Sequence, residues 1–225
     1  FDALDIQDGT WRFTDWNPLA FDEKAGFGGS AAATVCAYAA GLAHTERAMD
    51  RDAIFQACRR IHHQVQGSGS GVDIAAAVYG GVRQFTGGST TAQPHLPFVA
   101  IWSGNSAKTG PRINQYLAWQ HREAFVDSMN QLVHRFYEDP INCLADGLRV
   151  LTRMAIAANV PYLTPALAEI CELARNHGGA AKPSGAGGGD CAVALFESPI
   201  AQKKFEDACT HRGFTVIPVY IATGV

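Results

Sequence analysis

The chain has 225 residues, of which 47% are hydrophobic and 17% are charged, and its formal net charge is −3. These values are typical of a globular protein with a substantial core, built as one large domain or two small ones. The acidic balance gives no general attraction to nucleic acid or to an anionic membrane, and no apolar run is long enough to span a bilayer. We therefore expect neither partner, and any anion site must be built locally.

Six cysteines are scattered along the chain without a CxxC pair, and most of them lie among apolar residues. This pattern predicts buried free thiols in a reducing cytosol and not a disulfide framework. No signal peptide is visible in the sequence, which opens with Phe1. We accordingly expect a cytoplasmic protein.

Apolar spacing predicts helices and strands in both halves of the chain. Residues 1–20 carry short alternating apolar stretches, which indicate strand and turn. Helices are predicted at 30–42, 50–66, 72–80, 112–138, 140–158, 165–178 and 199–212. Strands are predicted at 82–85, 97–102, 191–196 and 214–222. The stretch 86–97 is rich in Gly, Thr and Pro, which favours a boundary between the two halves of the chain.

The first glycine-rich run, residues 24–33, reads KAGFGGSAAA. Gly26, Gly28 and Gly29 permit a tight turn directly before a helix. Free N–H groups at such a helix start favour a polyphosphate, and the hydroxyl of Ser30 could ligate the magnesium ion that accompanies it. Alternatively, Ser30 is a simple N-cap and the alanine row serves close helix packing. The run is not a Walker A motif, because no Gly-Lys-Ser/Thr closes it.

A second loop, residues 67–73, reads GSGSGVD and also precedes an apolar helix. Asp73 could complement the helix dipole, or it could orient or deprotonate an attacking oxygen beside bound phosphates. Lys24 could reach the same phosphates or could be an exposed loop lysine. His62 and His63 point about 100° apart on a helix, so we do not expect them to chelate one zinc ion.

The last glycine-rich run, residues 182–191, reads KPSGAGGGDC. Its small residues predict a backbone that closes over a ligand, although a tight loop or β-bulge would need the same residues. We expect Asp190 to fix the loop and Cys191 to fill the core.

In this order, the three glycine segments resemble the motifs of the GHMP kinase superfamily. The second family motif is similar to residues 26–32, and the third is similar to residues 182–191. Within the superfamily the details are most similar to the phosphomevalonate kinases. The segments that carry this likeness are Lys24, residues 69–80, residues 102–109, residues 159–167 and the run SGAGGGDC at 184–191.

The resemblance implies a mixed α/β fold of two domains that uses ATP and Mg²⁺. It places an N-terminal domain of the ribosomal-protein-S5-like type at 1–93 and a ferredoxin-like α+β domain at 94–225. Asp73 would be the acid/base residue, with Lys24 beside it as a second catalytic residue. The nucleotide would contact Gly26, Gly28, Gly29, Ser30, Ala31, Ser184, Gly185, Ala186 and Gly187. The acceptor would contact Arg83, Ser106, Lys108 and Gly188, and Ser30 would be the metal ligand.

The function implied is transfer of the γ-phosphoryl group of ATP to a small phosphorylated acceptor, 5-phosphomevalonate. A mevalonate or sugar kinase and a catalytically silent nucleotide-binding relative remain alternatives, and a homodimer is one assembly open to the chain. The family's first motif, a strand with a Lys and a Gly-Glu pair, is not found, so we expect either a missing N-terminal part or a degenerate relative. Mevalonate kinases carry a magnesium-binding Glu on the helix before the middle loop. In this sequence the corresponding residues, 62–66, read HHQVQ and include no Glu.

Overall fold

The protein divides into two compact units in the computed structural model. The first unit comprises Phe1–Trp16, Phe27–His95 and Tyr220–Val225, and the second comprises Asn17–Gly26 and Leu96–Val219. The structure describes residues 2–6, 10–12, 14, 26–67, 69–107 and 110–225. Whether a domain boundary falls at residues 93 and 94 stays a prediction.

Beyond a short 3-10 turn near the N-terminus, the described part of the first unit contains three α-helices and a hairpin. The helices are α1 (Gly29–His44), α2 (Arg51–Gln66) and α3 (Val72–Tyr79), and the hairpin strands are β1 (Val82–Thr86) and β2 (Ser89–Gln93). Its core packs Val35 of α1, Phe55 of α2 and Ile74 of α3 together, because each helix presents one apolar face. The chain's last residues join this unit, since the Val225 N–H donates to the carbonyl oxygen of Val78 at 3.1 Å.

The second unit is an antiparallel sheet with helices. Its strands are β3 (Phe98–Trp102), β4 (Gly179–Pro183), β5 (Cys191–Phe196) and β6 (Thr215–Ile217), in the order β4-β5-β3-β6. Its helices are α4 (Gly110–Ala118), α5 (Arg122–His134), α6 (Pro140–Ala157), α7 (Pro165–Asn176) and α8 (Pro199–His211). This strand order and the β4-β5-α8-β6 succession are those of a ferredoxin-like unit. Ile101, Leu167 and Phe205 are fully buried in its core.

Most of the predicted helices are confirmed to within a few residues, but the single helix predicted at 112–138 is wrong. The chain turns at residues 119–121 and forms α4 and α5 instead. This turn brings the aromatic rings of Tyr116 and Trp119 to 5.8 and 6.2 Å from the ring of Phe125. Aromatic packing of that kind stabilises the turn without leaving a proline or glycine signal in the sequence.

The strand predictions need three corrections. The predicted boundary at 86–97 contains β2, because Gly87 and Gly88 adopt positive φ and close a hairpin with β1. The strand predicted at 214–222 ends at Ile217, since Pro218 has no N–H to donate to the sheet. β4 precedes the last glycine run and was not predicted. Of residues 1–20, Asp2–Leu4 form a 3-10 turn, whereas 7–9, 13 and 15–20 lie outside the described residues.

The cysteines carry no disulfide, and five of the six are buried, as expected from their apolar neighbours; Cys36 is exposed. None of the helices in the described ranges combines the length and the apolar character that crossing a membrane requires.

Candidate active site

The first glycine run forms the turn that starts α1. Gly28 has φ 69° and ψ 32°, a left-handed conformation that glycine adopts without strain. Its carbonyl oxygen accepts hydrogen bonds from the N–H groups of Ala31 and Ala32 at 2.9 and 3.0 Å. The N–H groups of Gly29 and Ser30 have no acceptor within the described residues. They therefore present an anion-binding helix start, with the positive end of the helix dipole behind them.

Asp73 lies directly against this turn. A Cβ atom built on Gly28 would be 3.1 Å from both Cβ and Cγ of Asp73. Asp73 is the second residue of α3, is exposed, and makes no hydrogen bond or ion pair within the described part of the chain. The structure thus brings a carboxylate and the N–H groups of the α1 start together in one unit, although 45 positions separate Gly28 from Asp73 in sequence.

The hydroxyl of Ser30 is held by α2. The side-chain amide of Gln66 donates to Ser30 Oγ at 2.9 Å, and Nε2 of His62 lies 3.2 Å from the same oxygen. Since Ser30 accepts from Gln66, it can donate its own proton to a neutral His62 ring. Neither residue was singled out as a partner of Ser30, although their i, i+4 spacing places them on one face of the helix.

The last glycine run connects β4 to β5 and closes on itself. The N–H of Ser184 donates to the carbonyl oxygen of Cys191 at 2.8 Å, and the N–H of Gly188 donates to that of Tyr162 at 2.6 Å. The N–H groups of Gly185, Ala186 and Gly187 have no acceptor among the described residues. The run is therefore a strand connection that also carries free backbone donors, and its closure over a ligand stays a prediction.

Asp190 ties this run to the loop after β3. Its N–H donates to the carbonyl oxygen of Asn105 at 2.7 Å, and its carboxylate accepts from the N–H of Ala107 at 3.0 Å. These bonds place the predicted acceptor residue Ser106 beside the run. Gly26 also lies here, since a Cβ atom on it would be 2.6 Å from Cβ of Asp190. Asp190 thus fixes the loop, as expected.

Arg112 of α4 is a cation at the last glycine run that sequence reasoning missed. Its Nη1 donates to the carbonyl oxygen of Gly187 at 2.5 Å, and its Nη2 donates to that of Gly188 at 3.4 Å. The amine of Lys182, by contrast, donates to the carbonyl oxygen of Pro183 at 2.8 Å. Burial lowers the pKa of Lys182.

Of the remaining predicted cations, the structure describes Arg83 alone. Arg83 belongs to the first unit, where Nε donates to Thr90 Oγ1 at 2.8 Å and the guanidinium lies 4.8 Å from the ring centroid of Tyr79. These contacts stabilise the hairpin, and a role at the acceptor stays a prediction. Lys24 and Lys108 lie outside the described residues.

Two family models match the chain in the same order as these motifs. The model of the GHMP kinases N-terminal domain matches residues 20–81, and the model of the GHMP kinases C-terminal domain matches residues 133–214. Together they cover more than half of the chain. The chain belongs to the GHMP kinases. The first glycine run lies within the first match and the last glycine run lies within the second, and the mixed α/β fold is that of this family.

The relatives that match the chain include a phosphomevalonate kinase and a mevalonate kinase. The chain is 27% identical to phosphomevalonate kinase from Streptomyces sp. (strain CL190) over 222 residues, covering 78% of this chain and 58% of the relative. It is 29% identical to mevalonate kinase from Archaeoglobus fulgidus over 185 residues, covering 77% of this chain and 62% of that protein. The chain thus spans about three fifths of the length of these relatives.

The fold is also that of a solved kinase. Streptococcus pneumoniae phosphomevalonate kinase, in complex with phosphomevalonate and AMPPNP, matches with a TM-score of 0.77 at 20% identity. The match covers 89% of this chain and 70% of that chain. At this identity the likeness concerns the fold alone.

Proposed function

We propose that the protein is an ATP-dependent kinase that transfers the γ-phosphoryl group to 5-phosphomevalonate. The observation that carries the proposal is the contact of Asp73 with the α1 start, where a carboxylate meets free N–H groups. Phosphoryl transfer needs positioning and charge neutralisation more than covalent chemistry, so this combination of groups is sufficient. The acceptor is inferred from the similarity to the Streptomyces phosphomevalonate kinase.

In this reaction the N–H groups of Gly29 and Ser30 hold phosphate oxygens of ATP. An oxygen of the acceptor's phosphate group attacks the γ-phosphorus, the bond from that phosphorus to the β,γ-bridging oxygen breaks, and ADP leaves. Asp73 orients the attacking group and accepts its proton where that oxygen is protonated. One new phosphoanhydride bond forms for each ATP cleaved.

The α1 start also fits a magnesium ion. Ser30 Oγ and the carboxylate of Asp73 are hard oxygen donors, which Mg²⁺ prefers. Gln66 and His62 both contact the Ser30 hydroxyl and hold it in place. When bound there, the ion would neutralise phosphate charge. The nitrogen of His62 is the less suitable ligand for this ion, so we assign it to orienting Ser30.

Mevalonate is the second candidate acceptor, because the similarity to the Archaeoglobus mevalonate kinase is of the same size. A screen with γ-³²P-labelled ATP and mevalonate, phosphomevalonate and a few sugars decides between them. We expect labelled product with phosphomevalonate and at least tenfold less with the other acceptors. Label on mevalonate alone would replace the proposed acceptor, and no label on any acceptor would favour a silent nucleotide-binding relative.

A further inference from the structure

Arg112 has hydrogen-bonding capacity to spare beside the last glycine run. A guanidinium carries five N–H donors, and only two of those on Arg112 find an acceptor within the described residues, the carbonyl oxygens of Gly187 and Gly188. Both acceptors are neutral, and no carboxylate of the described chain forms a salt bridge with this partly buried side chain. Its positive charge is therefore available to an anion.

The glycine run is shaped to let this guanidinium approach. A Cβ atom on Gly188 would lie 2.2 Å from Nη2 of Arg112, so a side chain at that position would displace it. The free N–H groups of Gly185, Ala186 and Gly187 belong to the same run. A fixed cation and several backbone donors in one segment are the elements of a phosphate site.

Two other basic residues considered above are already engaged. The amine of Lys182 is buried and donates to the carbonyl oxygen of Pro183. Arg83 lies in the first unit, with its guanidinium over Tyr79 and its Nε bonded to Thr90. In the described part of the second unit, Arg112 is therefore the cation at the run that can take an anion.

We infer that Arg112 binds the phosphate group of the acceptor and thereby determines the preference for a phosphorylated substrate. The inference rests on the proposed function, in which the N–H groups of Gly29 and Ser30 at the α1 start hold phosphate oxygens of ATP. A phosphomonoester carries about two negative charges, which are costly to take out of water unless a cation pairs with them. Arginine suits this role because its planar fork donates to two phosphate oxygens at once.

The test compares Arg112→Met and Arg112→Lys with the wild-type protein and with Arg153→Met, an exposed arginine of α6 without a salt bridge in the described residues. We measure kcat and KM for ATP and phosphomevalonate, and the affinity for phosphomevalonate and mevalonate by calorimetry. Arg112→Met should weaken phosphomevalonate binding and raise its KM by about 30- to 100-fold, the loss of a charge-assisted pair. The KM for ATP and the affinity for mevalonate should change by less than about threefold. Arg112→Lys should have a KM and an affinity for phosphomevalonate between those of the wild type and Arg112→Met. Arg153→Met should have the wild-type values.

If Arg112→Met loses affinity for ATP and for both acceptors to the same extent, the inference is overturned, because such a result indicates that Arg112 only supports the glycine run. If Arg112→Met does not fold, the same comparison is made with Arg112→Lys: a KM that rises for phosphomevalonate but not for ATP supports the inference, and equal rises for both overturn it. A wild-type protein that transfers no phosphate contradicts the proposed function, yet selective binding of phosphomevalonate that depends on Arg112 would still support this inference. Wild-type binding that does not distinguish the two acceptors overturns it.

Discussion

At the scale of single residues, the contact between Gly28 and Asp73 defines the candidate site. A side chain at Gly28 would crowd Asp73, since its Cβ atom would lie 3.1 Å from two carbon atoms of that residue, closer than most Cβ contacts. The same glycine has positive φ, so it also sets the direction in which α1 begins. One residue therefore controls both the free N–H groups and the placing of the carboxylate.

Gly28→Ala should reduce kcat/KM by at least tenfold, because it strains the turn and displaces Asp73. The left-handed conformation alone costs alanine about 1 to 2 kcal/mol. Gly81→Ala is the matched control: Gly81 has φ 67°, and a Cβ atom there meets nothing within 4 Å. Steady-state kinetics of both variants, with thermal unfolding as a check on folding, separate the two effects. Equal losses of activity in both would show that backbone strain alone is responsible.

The sequence was informative about this site where the signal is local. Glycines before an alanine-rich helix predict a turn with free donors, and the resemblance to the family assigned Asp73 to the same site. The partners of Ser30 were not predicted, because they depend on how α1 and α2 pack and not on any residue near Ser30. Arg112 was missed for the same reason: its contacts are with residues about 75 positions away.

At the scale of elements, Asp190 organises the connection between β4 and β5. It has φ 55°, and its main chain and side chain both bond to the loop that follows β3. A non-glycine residue in this conformation is uncommon, and Asp and Asn tolerate it better than most other residues. Asp190 therefore holds the loop and the glycine run together.

Asp190→Ala should lower the free energy of unfolding by about 1 to 3 kcal/mol, because it leaves the N–H of Ala107 without its acceptor and strains the backbone. Asp190→Asn keeps an oxygen acceptor and the tolerance for positive φ, so its loss should be smaller. Urea unfolding of the two variants measures the difference. If Asn and Ala are equally destabilising, the negative charge matters and the hydrogen bond to Ala107 does not carry the effect.

The elements that were predicted and those that were not differ in where their stability originates. Helices such as α2 and α8 carry their own caps, at Asp50 and Ser198, and an apolar face, so the sequence indicates them directly. β4 contains two alanines, a lysine and a proline, which have little strand propensity, and it forms because β5 pairs with it along its whole length. Non-local pairing of this kind leaves no pattern in a single sequence.

At the scale of the whole molecule, each unit has its own core, and buried thiols are part of both. Cys58 lies in the core of the first unit, and Cys171 and Cys209 lie in that of the second. Burial raises the pKa of Cys58 to about 11 and those of Cys171 and Cys209 to about 12. The pKa of a thiol in the unfolded chain is close to the ordinary value of 9.0.

The protein should therefore lose stability as the pH rises above 9. Below pH 9 these thiols are protonated in both states; between 9 and about 12 the unfolded chain loses protons that the folded chain keeps, which favours unfolding by up to about 1.4 kcal/mol per pH unit for each thiol. Cys209→Val, a substitution of similar size, should flatten this dependence. Urea unfolding between pH 8 and 10.5 checks it, and an unchanged slope in the variant would exclude Cys209 from the effect.

Which segments of the chain make up each unit could be predicted only in part. The order of the glycine motifs indicated the family, and the family models confirm it. The return of Tyr220–Val225 to the first unit was not predicted, because it depends on close backbone contacts. A Cβ atom on Gly80 would lie 2.2 Å from the nitrogen of Gly224, and no local pattern around either glycine indicates that approach.

The most direct test of the candidate active site is phosphoryl transfer by Asp73→Asn, with ATP affinity measured on the same protein. We expect kcat to fall by about 10²- to 10⁴-fold, the usual contribution of a positioned acid or base, while the Kd for ATP changes by less than about threefold. Asp127→Asn, which alters an exposed carboxylate on α5, should match the wild type. Wild-type turnover in Asp73→Asn would contradict the assignment of Asp73 and, with it, the site built on the start of α1.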